Sequence, residues 1–210
     1  MNEPLPVYMV VGEGHSTLVF LHGLGGDHTN WQPQFAEFAS DYRCVAWTLP
    51  GYGLSPPLEA LTWSNLSDML ARVLDDIGVD RATIVGISMG GYIAANSWMF
   101  GIPFVALNPA INPRASLQKY IGTNKDFSGR EYTLLKEVVV RYPDFPTGGG
   151  YGLVLCNMGD ELLSCEDTYD YCKDYHHVIC FPGGDHRFSN LEERLDEIES
   201  FYRMAETSYV

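Results

Sequence analysis

Ser88 is the residue whose setting first suggests chemistry. It stands in Gly86-Ile87-Ser88-Met89-Gly90, a G-x-S-x-G pattern, after the apolar run Ala82–Val85 and before a helical stretch, Gly91–Met99. A serine on a sharp strand-to-helix turn projects its hydroxyl clear of the backbone, where it can act as a nucleophile. Positive φ at such a turn costs a non-glycine residue about 1–3 kcal/mol. Gly86 and Gly90 lack a Cβ and let strand and helix pass closely. The plain structural reading of the same residues is a glycine-rich turn with no chemistry.

A serine nucleophile needs a base, and the base needs an orienting acid. Histidines stand at 15, 22, 28, 176, 177 and 186. His186 is the best base. It lies in Pro182-Gly183-Gly184-Asp185-His186, just past the apolar run Val178–Phe181, and ligands of open α/β sheets bind beyond the carboxyl ends of the strands. His176 and His177 precede the same run and belong at the opposite edge. His15 falls in a turn. The acid should also follow a strand. Asp160, in Asn157-Met158-Gly159-Asp160-Glu161 after Leu153–Cys156, fits, with Glu161 as the fallback. Asp185 adjoins His186 and can scarcely turn back onto its ring.

Acyl transfer also needs donors where negative charge develops on the carbonyl oxygen. His22-Gly23-Leu24-Gly25-Gly26 follows the run Thr17–Leu21 and can aim a backbone N–H into a site. The N–H groups of Leu24 and Met89 are the proposed pair of oxyanion donors. His22 is read as holding the loop rather than acting as a base. Gly23, His28 and Asn108 are the expected substrate-contacting residues, His28 reading equally as a surface-loop residue. GxxxxGK and a complete GxGxxG are absent, which removes the main phosphate-loop readings. No metal or organic cofactor is expected.

The elements that must position these residues read as α/β. Seven short apolar runs are bounded by turn residues: Val7–Val11, Thr17–Leu21, Cys44–Trp47, Ala82–Val85, Phe104–Leu107, Leu153–Cys156 and Val178–Phe181. The later ones are almost wholly apolar, as strands covered on both faces are. Trp63–Ile77 and Leu191–Met204 carry apolar residues at helical spacing. Alternating strands and helices imply a mostly parallel, three-layer sheet. Gly12-Glu13-Gly14 suggests an antiparallel hairpin of the first two strands. Asn112 to Gly150 shows no strong strand, and Leu134–Tyr142 looks helical.

Length and charge narrow the classes further. The 210 residues fit one domain, 1–210, with 112–150 a small cap within it. The net charge of −14 argues against nucleic acid and against anionic membrane surfaces. The uncharged run from Ala82 to Pro113 is long enough to span a bilayer, but Gly, Asn and Pro interrupt it, so it reads as strand, turn, helix and strand. The N-terminus has no signal-peptide pattern. Five cysteines, an odd number with no CxxC, fit a reducing cytoplasm. Six of the thirteen basic residues and three acidic ones fall between Arg114 and Arg141, a local charge of +3 that leaves −17 for the rest.

Val19-Phe20-Leu21-His22-Gly23-Leu24-Gly25-Gly26, Pro50-Gly51-Tyr52-Gly53-Leu54-Ser55 and Gly86-Ile87-Ser88-Met89-Gly90-Gly91 resemble the α/β-hydrolase superfamily. To about residue 100 the chain is similar to its esterase and enol-lactonase members. Later stretches, among them Phe127-Ser128-Gly129-Arg130-Glu131-Tyr132 and Gly183-Gly184-Asp185-His186-Arg187-Phe188, are closer to the short YqiA-type esterases. The order Ser88, Asp160, His186 is that of α/β-hydrolases. The resemblance implies an α/β-hydrolase fold, with a mostly parallel central sheet flanked by helices and a small cap. It makes Ser88 the nucleophile, His186 the base and Asp160 the acid, with Leu24 and Met89 as oxyanion donors. An aspartate usually stands about two residues before the P-G-x-G-x-S motif, and here Thr48-Leu49 stands instead.

The expected activity is hydrolysis of small-molecule carboxylic esters of small to medium acyl groups, by a monomer or homodimer. A thioesterase acting on acyl-CoA, a lactonase, or a hydrolase-fold binding protein without turnover are the alternatives. The basic segment either focuses a field on anionic substrates or is a solvated surface. If it focuses a field, neutralising Lys119, Lys125 and Arg130 together raises KM for an acyl-CoA or carboxylate ester and leaves a neutral ester unchanged. Equal effects in steady-state assays of both substrates would sink the idea.

Overall fold

The computed structural model describes residues 4–59, 62–97, 102–127, 129–148 and 152–208. The seven apolar runs form one seven-stranded sheet: β1 (Tyr8–Val11), β2 (Ser16–Leu21), β3 (Tyr42–Trp47), β4 (Thr83–Ile87), β5 (Phe104–Leu107), β8 (Gly152–Asn157) and β9 (His177–Phe181). Their spatial order is β1-β3-β2-β4-β5-β8-β9. All neighbours are parallel except β1, which runs antiparallel to β3.

That pairing corrects the expected hairpin. Strand β1 pairs with β3, Tyr8 opposite Trp47, not with β2. Strand β2 is buried almost throughout while β1 is half exposed, so β2 takes the interior and β1 the edge. The Gly12–Gly14 link passes over the start of β3: a Cβ on Gly12 would lie 2.2 Å from the Tyr42 carbonyl oxygen.

Helices cover both faces. Leu18 and Phe20 of β2 pack with Phe35 and Phe38 of α1 (Gln32–Phe38) and with Ile198 and Phe201 of α7 (Leu195–Ser208). Val19 and Leu21 point the other way, to Leu66, Met69 and Val73 of α2 (Trp63–Asp76), Tyr92 of α3 (Met89–Ala95) and Cys172 of α6 (Cys165–Cys172). The uncharged run is thereby consumed by β4, α3 and β5. Among the described residues no helix is long and apolar enough to cross a membrane. The end of the expected helix, residues 98–99, lies outside the described residues, as do Ser128, Gly149 and Gly150.

The segment between β5 and β8 departs from expectation. It holds α4 (Pro113–Ser116), a two-stranded antiparallel sheet of β6 (Gly122–Lys125) and β7 (Glu131–Leu134), and a single helical turn, α5 (Lys136–Val139), where Leu134–Tyr142 looked helical throughout. The hairpin leaves no apolar run in the sequence, because Gly-Thr-Asn-Lys and Glu-Tyr-Thr-Leu alternate half-buried with exposed residues.

Packing is very close where β4 hands the chain to α3. A Cβ on Gly86 would sit 2.1 Å from the Gly90 carbonyl oxygen, and one on Gly90 2.1 Å from the Leu21 carbonyl oxygen. Both contacts are to backbone, which cannot rotate aside. Gly86→Ala should therefore cost about 3 kcal/mol in urea unfolding. Gly148→Ala, whose Cβ meets nothing within 4 Å, should be close to neutral.

Candidate active site

Parallel register brings the carboxyl ends of the strands level. Leu21 pairs with Gly86, Ile87 with Leu107, Leu107 with Leu155, and Asn157 with Phe181. Gly23, Ser88, Asn108, Asp160 and His186 all follow these ends, so one sheet edge gathers them.

Ser88 occupies the turn itself, at φ 55 and ψ −118. Its N–H donates to the Leu107 carbonyl (3.0 Å). Its carbonyl accepts from Tyr92, starting α3, and from Ala110, both at 3.1 Å. The non-glycine residues with positive φ among those described are Ser88, Asn108 and Phe188. All three border this edge. Strain of this kind, about 1–3 kcal/mol each, persists where the surroundings over-determine the backbone, and it concentrates at functional sites.

Asp160 and His186 are joined. His186 Nδ1 lies 2.8 Å from Asp160 Oδ2 and 3.0 Å from Oδ1, with the Asp160 side chain almost wholly buried. Asp160 Oδ1 also accepts the N–H groups of Leu162 (2.8 Å) and Leu163 (2.9 Å), which fixes the carboxylate. Glu161 serves the backbone instead of the ring: its Oε2 accepts the His186 N–H at 3.0 Å. Asp185 turns away and caps Ser189 through both carboxylate oxygens. The two loops are zipped beyond the end of the sheet by Met158 N–H to the Phe181 carbonyl and Gly159 N–H to the Gly183 carbonyl, both 2.8 Å. Among the described residues Ser88 Oγ makes no hydrogen bond to the His186 ring, and such bonds commonly tighten only when substrate is bound.

Asn108, expected to touch substrate, is committed elsewhere. It is buried; its amide donates to the carbonyls of Asp185 (2.9 Å) and His186 (3.2 Å), and its Oδ1 accepts the Asn157 N–H (2.8 Å). Asn157 adds donations to the Asp185 carbonyl and to Asn190 Oδ1, both at 3.1 Å. These two amides, Asn108 in place of the expected substrate contact and Asn157 with no expected role, tether the His186 loop to β5 and β8. The asparagine at 108 also suits its φ of 41.

The glycine loop after β2 lies against the serine. A Cβ on Gly23 would be 3.2 Å from Ser88 Cβ and 3.7 Å from Ser88 Oγ. Neither Leu24 nor Met89 gives its backbone N–H to a protein acceptor among the described residues. His28 is drawn to Thr48, whose Oγ1 accepts the His28 N–H (3.1 Å) and meets Nδ1 at 2.8 Å. Thr48 thus has its own use at the position where the resemblance expects an aspartate. The β6–β7 hairpin reaches the same loop: the Phe127 N–H donates to the Gly25 carbonyl (3.0 Å), and the Arg187 guanidinium lies 5.2 Å over the Phe127 ring.

His22 is fully buried between two backbone groups. The Leu49 N–H donates to Nε2 (3.0 Å), so Nδ1 carries the proton that meets the Gly23 carbonyl at 2.8 Å. Burial lowers its pKa to about 4. The unfolded chain therefore takes up a proton first as pH falls below about 6.5, and the stability held by neutral His22 drains away until pH 4. By pH 4.5 the wild type should lose about 2.5 kcal/mol more than His22→Gln, whose amide oxygen can still accept from Leu49. Parallel urea-unfolding curves at pH 7 and 4.5 test this, and identical pH dependence would refute it.

The sequence matches the family described as "Alpha/beta hydrolase family" over residues 18–200. It is 42% identical over 89 residues to the dihydrolipoyllysine-residue acetyltransferase component of the acetoin cleaving system of Cupriavidus necator, covering 42% of this chain and 24% of that protein. It is 40% identical over 93 residues to 3-oxoadipate enol-lactonase 1 of Acinetobacter baylyi, covering 44% and 35%. The match thus spans only about a quarter to a third of these relatives' lengths. The fold is similar to that of a thermophilic esterase from Thermogutta terrifontis, with a TM-score of 0.72 at 16% identity, covering 95% of this chain and 93% of that one. With its strand order, its elbow and most of its length accounted for, the chain belongs to the alpha/beta hydrolase family.

Proposed function

We propose that the protein is a serine hydrolase cleaving carboxylic esters of small to medium acyl groups through an acyl-enzyme. The observation that carries this reading is the shared edge: Ser88 is bound to Leu107, and the loop of the Asp160-paired His186 is bound to Asn108, the next residue. His186 Nε2 takes the Ser88 proton as Oγ attacks the acyl carbon. Asp160 holds the ring through Nδ1 and stabilises its charged form. The oxyanion rests on the N–H groups of Leu24 and Met89. His186 then returns the proton to the leaving alcohol, and water repeats the sequence on the acyl-enzyme. Asn108 and Asn157 act as positioning residues for the base.

The segment 112–150 acts as a small cap. Its hairpin stands against the Gly23–Gly26 loop, with the Phe127 N–H on the Gly25 carbonyl; a Cβ on Gly25 would lie 4.0 Å from the Tyr132 hydroxyl. With so short a cover the site stays open and takes short or protruding acyl groups. Cyclic esters are a second substrate class, favoured by the likeness to 3-oxoadipate enol-lactonase 1.

A fluorophosphonate should label Ser88 alone, and Ser88→Ala should abolish labelling and lower p-nitrophenyl ester hydrolysis at least about 10⁴-fold. A chain-length series should peak at short acyl groups. An unlabelled Ser88, with wild type and Ser88→Ala equally inactive, would overturn the assignment.

A further inference from the structure

The cysteines take no part in the reaction above, yet four of the five meet at one place. Cys156 of β8 and Cys180 of β9 are register partners in adjacent parallel strands, so their side chains leave the same face of the sheet. Cys165 and Cys172 lie two turns apart on α6, which packs over those two strands. All four belong to one apolar cluster, and Cys44 belongs to the other. Cys156 and Cys172 are buried, while Cys165 and Cys180 keep exposed surface. Helix α6 contacts both strands, and from it the Cys165 thiol packs against the same apolar cluster as Cys156 and Cys180. Burial pushes the Cys165 thiol up to about 12, so it rests protonated near neutrality. Among the described residues no group of three or more His, Cys, Asp or Glu side chains is set to hold a metal ion.

We propose that Cys165 and Cys180 form a dithiol modification site for hydrogen peroxide, which converts the pair to a disulfide joining the Asp160 segment to the strand that leads to His186. Cys165 sulfur, on losing its proton, attacks one peroxide oxygen. The O–O bond breaks, the departing hydroxide takes a proton as water, and Cys165 becomes a sulfenic acid. Cys180 sulfur then displaces the hydroxyl from Cys165, closing the S–S bond and releasing a second water. The two thiols lose two electrons and the peroxide gains them. Because the thiolate is the reacting form, the reaction quickens as pH rises.

The position of the pair gives the bond its consequence. Cys165 opens α6 directly after its N-cap, Ser164, and only a few residues past Leu163, which donates to Asp160. Cys180 precedes Phe181, whose carbonyl holds Met158. The disulfide therefore ties together the two segments that present the acid and the base. It also closes a loop of about 15 residues in the unfolded chain, which should raise Tm by roughly 5–10 °C.

Trypsin leaves Cys156, Cys165 and Cys172 on one peptide, 142–173, and Cys180 on another, 174–187; cleavage at Glu161 and Glu166 then isolates Cys165 on 162–166. After hydrogen peroxide treatment and alkylation without reduction, mass spectrometry should find 162–166 linked to 174–187. The link and the Tm rise should vanish with dithiothreitol, fail in Cys165→Ser and Cys180→Ser, and persist in Cys172→Ser. A link from Cys156 or Cys172 to Cys180, sulfinic or sulfonic acids without a link, or a linked protein with unchanged Tm would each overturn the proposal. These readouts are mass and melting, so they stand whether or not the protein hydrolyses esters.

Discussion

Strand β4 passes the chain to α3 within a single residue, and Ser88 absorbs the whole change of direction at φ 55. The turn is held because its backbone is claimed from three sides: Leu107 accepts the Ser88 N–H, while Tyr92 and Ala110 share its carbonyl. Gly86 and Gly90 are the conditions for this closeness, since a methyl group on either would occupy the place of a backbone oxygen. The neighbouring loops are arranged around the same point. Gly23 leaves room for the hydroxyl, and Asn108 ties the His186 loop to the strand that anchors the serine.

Neutral groups do most of the tethering around the histidine. Asn108, Asn157 and His22 position their loops through amide and imidazole contacts that carry no charge in the working range, His22 being kept neutral by burial. Buried neutral groups hold geometry without the desolvation cost of ions. The Asp160–His186 pair is thereby set in a frame held by uncharged contacts. Glu161 joins the frame through the His186 backbone and is not a rival acid for the ring.

Much of this was legible because sheet strands covered on both faces must be continuously apolar, and the seven runs mark seven strands. Ser88, Asp160 and His186 could be located because each follows such a run. The partner of β1 was not legible: an edge strand's pairing depends on which interior strand lies beside it, and β3 is some thirty residues away. The β6–β7 hairpin was hidden by its polar alternation. Helix α6 did leave a signal in Ser164, whose hydroxyl caps the Asp167 N–H. The role of Asn108 left none, because its partners lie 77 and 78 residues further along the chain.

Strands β5 and β8 are direct neighbours in the sheet, although some forty residues separate them in sequence. Everything between leaves and returns through points about 5 Å apart. The hairpin that overhangs the glycine loop is therefore carried on an excursion whose stem is already closed by the sheet. Its length and composition can be exchanged while the register that aligns Ser88, Asp160 and His186 stays in place. In evolutionary terms, the overhanging hairpin and the scaffold beneath it are separable inheritances, free to diverge at different rates.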